Sequence, residues 1–335
     1  MENTRTIPEL LDYFVSKYKS KLLFQRRDGW SWKQLTWLDC DAEIKNLASF
    51  LLSLSFKSGD DAVIISSNKI ECIFSELAIY YLGGTVIPFS NGKSFSKYSN
   101  SALSESPVLL FLENSMLINQ LIKDGLQPEK FRKIIVFDDT EIGKSDIVIP
   151  YKGLVKFGQL KKKELFDSLK NTSDSVGSQQ SALKLFSQNG NSSIQKTLID
   201  QGRMLELIRS VSKKLDFITE EDQSYSYLLE ASLFEKLINL MGLALGMRLI
   251  IAEDMDCFFK DILEAKPTVL FESGREIERI FSSFNSNSKT QDLKSFLGGR
   301  LKYLITDSVP DKKLEESFRK SGIEIIELPE ISVFN

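Results

Sequence analysis

The feature that most limits how this chain can fold is a recurring alternation of short apolar runs with stretches of helical periodicity. Ile44, Leu47, Ala48, Leu51 and Leu52 recur at helical spacing. Lys57-Ser58-Gly59-Asp60 breaks that pattern, and Ala62-Val63-Ile64-Ile65 follows as a short buried strand. A helix from about Ile70 to Leu82 ends at Gly83-Gly84, the residues best suited to the left-handed turn after a helix. Thr85 to Phe89 is the next strand, and Val108 to Leu112 and Ile134 to Phe137 repeat the theme. Strands and helices alternating at this spacing predict a parallel sheet covered by helices.

Residues 152–180, rich in Lys, Ser, Gly and Gln, interrupt the alternation and read as one short helix plus a linker. A second run then begins, with strands expected at Ala182–Phe186, Tyr225–Leu229, Arg248–Ala252, Pro267–Phe271, Leu301–Ile305 and Ile323–Leu328. Leu233 to Leu245 is almost wholly apolar and predicts a deep helix, and Pro310 suits the first turn of another. Asn and Ser dominate residues 282–288, which predicts a surface loop. The expected fold is α/β, two doubly wound subdomains in tandem: residues 1–150, a linker over 151–180, and residues 181–335.

Composition removes whole classes of chemistry. The chain contains no histidine, which excludes His-based acid–base work, Ser-His-Asp or Cys-His nucleophiles and the commonest zinc sites. Cys40, Cys72 and Cys257 are scattered and odd in number, the pattern of a reducing compartment rather than a disulfide frame. No apolar stretch follows the N-terminal Met1-Glu2-Asn3-Thr4-Arg5, so neither a signal peptide nor a transmembrane segment is expected, and a cytoplasmic location is. The formal net charge of −3 argues against a dedicated nucleic-acid or anionic-membrane surface. Lys161-Lys162-Lys163, the densest basic run, is expected to be a solvated helix face.

Taken in order, several segments resemble the long-chain branch of the AMP-forming acyl-CoA synthetases. They are Thr6-Ile7-Pro8-Glu9-Leu10-Leu11, Gly29-Trp30-Ser31-Trp32, Phe56-Lys57-Ser58-Gly59-Asp60 and Ile79-Tyr80-Tyr81-Leu82-Gly83-Gly84-Thr85-Val86-Ile87-Pro88. Lys266-Pro267-Thr268-Val269-Leu270 is similar to that family's "RPTVL" strand, and Gly298-Gly299-Arg300-Leu301-Lys302-Tyr303-Leu304 to its "GGRLRYL" segment. The resemblance spans nearly the whole sequence. It implies two flavodoxin-like subdomains, as in the N-terminal domain of adenylate-forming enzymes. The chemistry it implies is attack of a carboxylate on ATP, with magnesium, followed by transfer of the acyl group to CoA.

The family's nucleotide elements are the places where this sequence departs. The phosphate loop "YTSGTTGxPKG" corresponds to Phe186-Ser187-Gln188-Asn189-Gly190-Asn191-Ser192-Ser193-Ile194-Gln195-Lys196. By the resemblance Ser187, Asn189, Gly190, Asn191 and Ser193 are the candidate phosphate contacts, with the lysine one position late. Losing two or three charge-assisted contacts at about 1.5–3 kcal/mol each removes about 3–9 kcal/mol. Even about 3 kcal/mol weakens ATP binding roughly a hundredfold. The "YGLTE" element falls on Pro329-Glu330-Ile331-Ser332-Val333, where Ser332 stands for the threonine and Val333 for the magnesium carboxylate. "GGAP" becomes Asp307-Ser308-Val309-Pro310, and the histidine of "LPLSHIFE" becomes Ser232.

The sequence given ends at Asn335, before the family's C-terminal domain with its lysine, so that domain is expected to be absent. The resemblance therefore implies a degenerate synthetase frame with no catalytic residue and no metal ligand of its own. No cofactor is expected, with ATP and Mg only where residual family activity persists. The expected partners are an acyl chain, an active synthetase or a separate C-terminal domain. A weak or specialised long-chain fatty acid–CoA ligase, with Glu327 or Glu330 as replacement ligands, and one half of a split synthetase are the alternatives.

Overall fold

The computed structural model describes residues 3–67, 69–138, 145–188, 193–226, 233–252, 255–287, 292–308 and 311–329. It divides into two compact units, each built on a seven-stranded sheet. The first comprises residues 1–19, 37–206 and 229–231, the second residues 20–36, 207–228 and 232–335.

In the first unit the chain runs through α1 (Ile7–Tyr18), α2 (Trp37–Ser53), β3 (Asp61–Ile65), α3 (Ile70–Tyr81), β4 (Thr85–Phe89), α4 (Gly92–Ser104), β5 (Leu109–Asn114) and α5 (Ser115–Lys123). It continues through β6 (Lys133–Asp138), β7 (Val148–Pro150), α6 (Tyr151–Asp174), β8 (Ser181–Gln188) and β9 (Ile194–Asp200). The strand order is β7-β6-β5-β3-β4-β8-β9, and every pair is parallel except the β8–β9 hairpin. Taking β3 to β7 in sequence, the spatial order is that of a flavodoxin-like sheet, 2-1-3-4-5. All residues of β3 and β4 are buried, as expected for parallel strands covered on both faces. Gly83 takes φ +70° after α3, and a Cβ on Gly84 would come within 2.5 Å of the buried Phe56 ring, so both glycines are required for α3 to turn tightly into β4.

The second unit repeats the plan. Its elements are β1 (Leu22–Asp28), β2 (Ser31–Thr36), β10 (Gln223–Ser226), α8 (Leu233–Leu245), β11 (Arg248–Ile251), α9 (Met255–Ala265) and β12 (Val269–Phe271). α10 (Gly274–Asn287), α11 (Leu293–Phe296), β13 (Tyr303–Thr306), α12 (Lys312–Lys320) and β14 (Glu324–Glu327) follow. The order β14-β13-β12-β10-β11-β1-β2 is again 2-1-3-4-5 over β10 to β14, extended by one parallel strand and an antiparallel hairpin partner. One of the points at which the chain passes from the first unit to the second falls inside α7 (Gln201–Lys214). The core of this second unit gathers Tyr225, Phe258, Ile262, Leu270, Ile277 and Leu304.

The α/β, doubly wound expectation holds for both sheets, and four local expectations change. Ala182–Phe186 does not open the second unit, because β8 pairs with β4 and closes the first sheet. Residues 151–174 are one continuous helix rather than a short helix and linker: Tyr151, Leu154, Gly158 and Leu169 are buried along it. Gly158 is needed there, since any Cβ would overlap the carbonyl oxygen of Asn46 in α2. Residues 282–287 belong to α10, not to a loop. Ile277 and Ile280 are buried and Phe281 and Phe284 pack on the same core, so helical spacing of apolar groups outweighs the Asn and Ser content. The β1–β2 hairpin has no counterpart among the expected strands.

Candidate functional site

The segment that resembles the phosphate loop lies on the β8–β9 hairpin at the edge of the first sheet. Ser187 pairs with Gln195, Gln188 with Ile194 and Phe186 with Lys196. Ser187 and Ser193 are exposed and flank the connection, while Asn189, Gly190 and Asn191 lie outside the described residues. Cross-strand partners share a face of the sheet, so Lys196 stands on the same side as Phe186. Phe186 stacks parallel to Phe89, with centroids 6.5 Å apart, and packs on the first unit's core. That places Lys196 on the core side of the strand rather than at the tip of the hairpin.

The ammonium of Lys196 is engaged by a carboxylate. Its Nζ lies 2.8 Å from Oε1 of Glu105, the residue that ends α4. Lys184, on the same face of β8, donates to Glu105 Oε2 at 2.9 Å and to Asp61, which is buried at the start of β3. The bond from Lys196, then that from Lys184, holds the Glu105 carboxyl below the usual carboxylate range. Burial pushes Asp61 up, and Lys184 offsets this only in part. Burial also works against the Lys184 ammonium, but its bonds to Asp61 and Glu105 outweigh it and keep the lysine charged. Two lysines and two carboxyl groups thus form a closed, charge-compensated cluster.

The segment that corresponds by resemblance to "GGAP" lies at the carboxyl ends of β12 and β13 in the second unit. Asp307 Oδ1 accepts from the backbone N–H of Gly274 at 3.2 Å and from the Ser308 hydroxyl at 3.1 Å. Thr306, fully buried, donates through Oγ1 to the Ser308 carbonyl at 3.0 Å and accepts from the Ser308 N–H at 3.3 Å. A Cβ on Gly274 would overlap Ser308 Oγ, so the serine side chain occupies the open face of that glycine. The first free N–H of α10 is taken by a carboxylate from this protein itself.

Ser332 and its neighbours Glu330, Ile331 and Val333 lie outside the described residues, as do Val309, Pro310 and Ser232. Glu327 is described: it is exposed at the end of β14 and pairs with Thr306. Among the described residues, no group of three or more Cys, Asp and Glu side chains is arranged to hold a metal ion. Cys40 is buried, which pushes its thiol up, and Cys72 is buried with its Sγ 3.5 Å from Glu76 Oε1, so neither has the environment of a reactive thiolate. No described helix is long and apolar enough to cross a membrane.

The Glu105–Lys184–Asp61 cluster was not legible in the sequence, because its members are 79 and 123 positions apart. The same holds for a second knot in the second unit. There Arg27 bonds Asp261 at 3.0 Å and Glu264 at 2.6 Å and stacks over Trp32 at 4.2 Å. The only local signal was strand alternation, which places Lys184, Phe186, Lys196 and Leu198 on one face once the hairpin is known.

No protein-family model and no curated protein sequence matches the chain. Solved structures do. A protein assigned as a long-chain-fatty-acid CoA ligase from Rhodopseudomonas palustris CGA009 superposes with a TM-score of 0.72 at 18% identity, covering 96% of this chain and 74% of that one. A long-chain-fatty-acid-CoA ligase from Archaeoglobus fulgidus gives 0.71 at 14% identity, covering 94% and 60%. A fatty acyl-adenylate ligase from L. pneumophila, solved with acyl adenylate and pyrophosphate, gives 0.68 at 14% identity. There the coverage is 96% of this chain and 54% of that chain, so the sequence spans about half of that enzyme. The fold of this chain is the α/β fold found in the N-terminal part of adenylate-forming enzymes.

Proposed function

We propose that this chain is an acyl-CoA synthetase-like protein of the AMP-binding type that does not form adenylates on its own and acts as a binding or interaction module. The observation that carries this reading is the engagement of Lys196 by Glu105. A lysine serves a triphosphate by adding uncompensated positive charge next to backbone donors. Here the charge is already matched, and moving it to a nucleotide would leave Glu105 facing Lys184 alone. The Asp307–Ser308 turn supports the same reading, because a carboxylate and a hydroxyl fill the ground where relatives present bare glycine backbone. A lysine already paired and a glycine face already filled do not fit ATP and magnesium.

The partners that suit such a module are an acyl chain, an active synthetase or a separate C-terminal domain. A weak or specialised long-chain fatty acid–CoA ligase is the second reading. It is favoured by Glu327, an exposed carboxylate at the carboxyl end of β14. ATP–pyrophosphate exchange with a panel of C8 to C18 fatty acids, and trapping of acyl hydroxamate by hydroxylamine, separate the two. Exchange and hydroxamate at the blank level support the module; turnover that depends on chain length overturns it in favour of the ligase.

A further inference from the structure

We draw no further inference here: the strongest candidate, the groove of about 500 Å³ beside the edge strand β14 of the second unit, sets Lys302 and Arg319 against Glu315 and Glu324 and so selects no ligand charge, and nothing in the structure shows what covers it.

Discussion

The two units share one strand plan and assemble it differently. Each has a 2-1-3-4-5 parallel core, one further parallel strand, and an antiparallel strand closing the edge. In the first unit the added pair, β8 and β9, follows the parallel strands along the chain. In the second the added pair, β1 and β2, precedes them by almost 200 residues, with Phe24 aligned on Leu249. The first hairpin carries a lysine tied into a compensated cluster; the second carries Trp30, 97% exposed, at its tip. The same geometry thus closes a sheet whether its last strands come late or early, and the side chains on that closing pair are what distinguish the units.

The units also differ at α6, which packs on the first and has no equivalent among the described elements of the second. Gly158→Ala places a Cβ on the Asn46 carbonyl, with backbone on both sides and no flexible side chain to yield. It should cost about 2–4 kcal/mol, measured by denaturant unfolding. Gly153→Ala in the same helix meets only Pro150 Cγ, at 3.5 Å, and should stabilise by about 0.5–1 kcal/mol through helix propensity. Equal effects from the two would remove the case that α6 is held against α2 by close backbone approach.

Next in size is the contrast between the buried and exposed ion pairs. Lys184→Met leaves Asp61, whose side chain is only 6% exposed, without its partner and should cost about 3 kcal/mol. Lys302→Met, whose lysine is 56% exposed and 3.5 Å from Asp222, should cost less than about 1 kcal/mol.

The pH dependence of stability separates the two carboxyl groups of the first unit's cluster. Glu105 titrates below its usual range in the folded state, so it contributes stability above the unfolded carboxylate pKa. That contribution is lost as pH falls through the lower, folded value. Asp61, raised by burial, has the opposite sign, and its contribution is lost as pH rises. Glu105→Gln should therefore flatten the acid limb of the stability curve, and Asp61→Asn should steepen it relative to the parent. The smallest effect belongs to Trp30→Ala, expected within about 0.5 kcal/mol because the ring is almost wholly in solvent. A larger loss would show that the second hairpin is packed rather than free at its tip.

The parallel strands were legible because burial on both faces makes them near-continuous apolar runs, as at Ala62–Ile65 and Thr85–Phe89. The β1–β2 hairpin was not. Gln25, Arg26, Arg27 and Asp28 form no apolar run, and what makes this segment a strand is pairing with β11 and an ion knot to α9. α10 shows the reverse error, where Asn and Ser content concealed a helix that Ile277, Ile280, Phe281 and Phe284 define by spacing. Of the candidate site, the sequence identified altered motif positions but not their consequences. That Lys196 meets Glu105, and that Asp307 caps Gly274, depends on residues 91 and 33 positions away.

Commitment of Lys196 to Glu105 rather than to a nucleotide is the central claim. Isothermal titration of the protein with ATP and magnesium, beside the Glu105→Gln variant, tests it most directly. No saturable heat in the parent is the predicted result. Saturable binding to the parent, abolished by Lys196→Met, would contradict it.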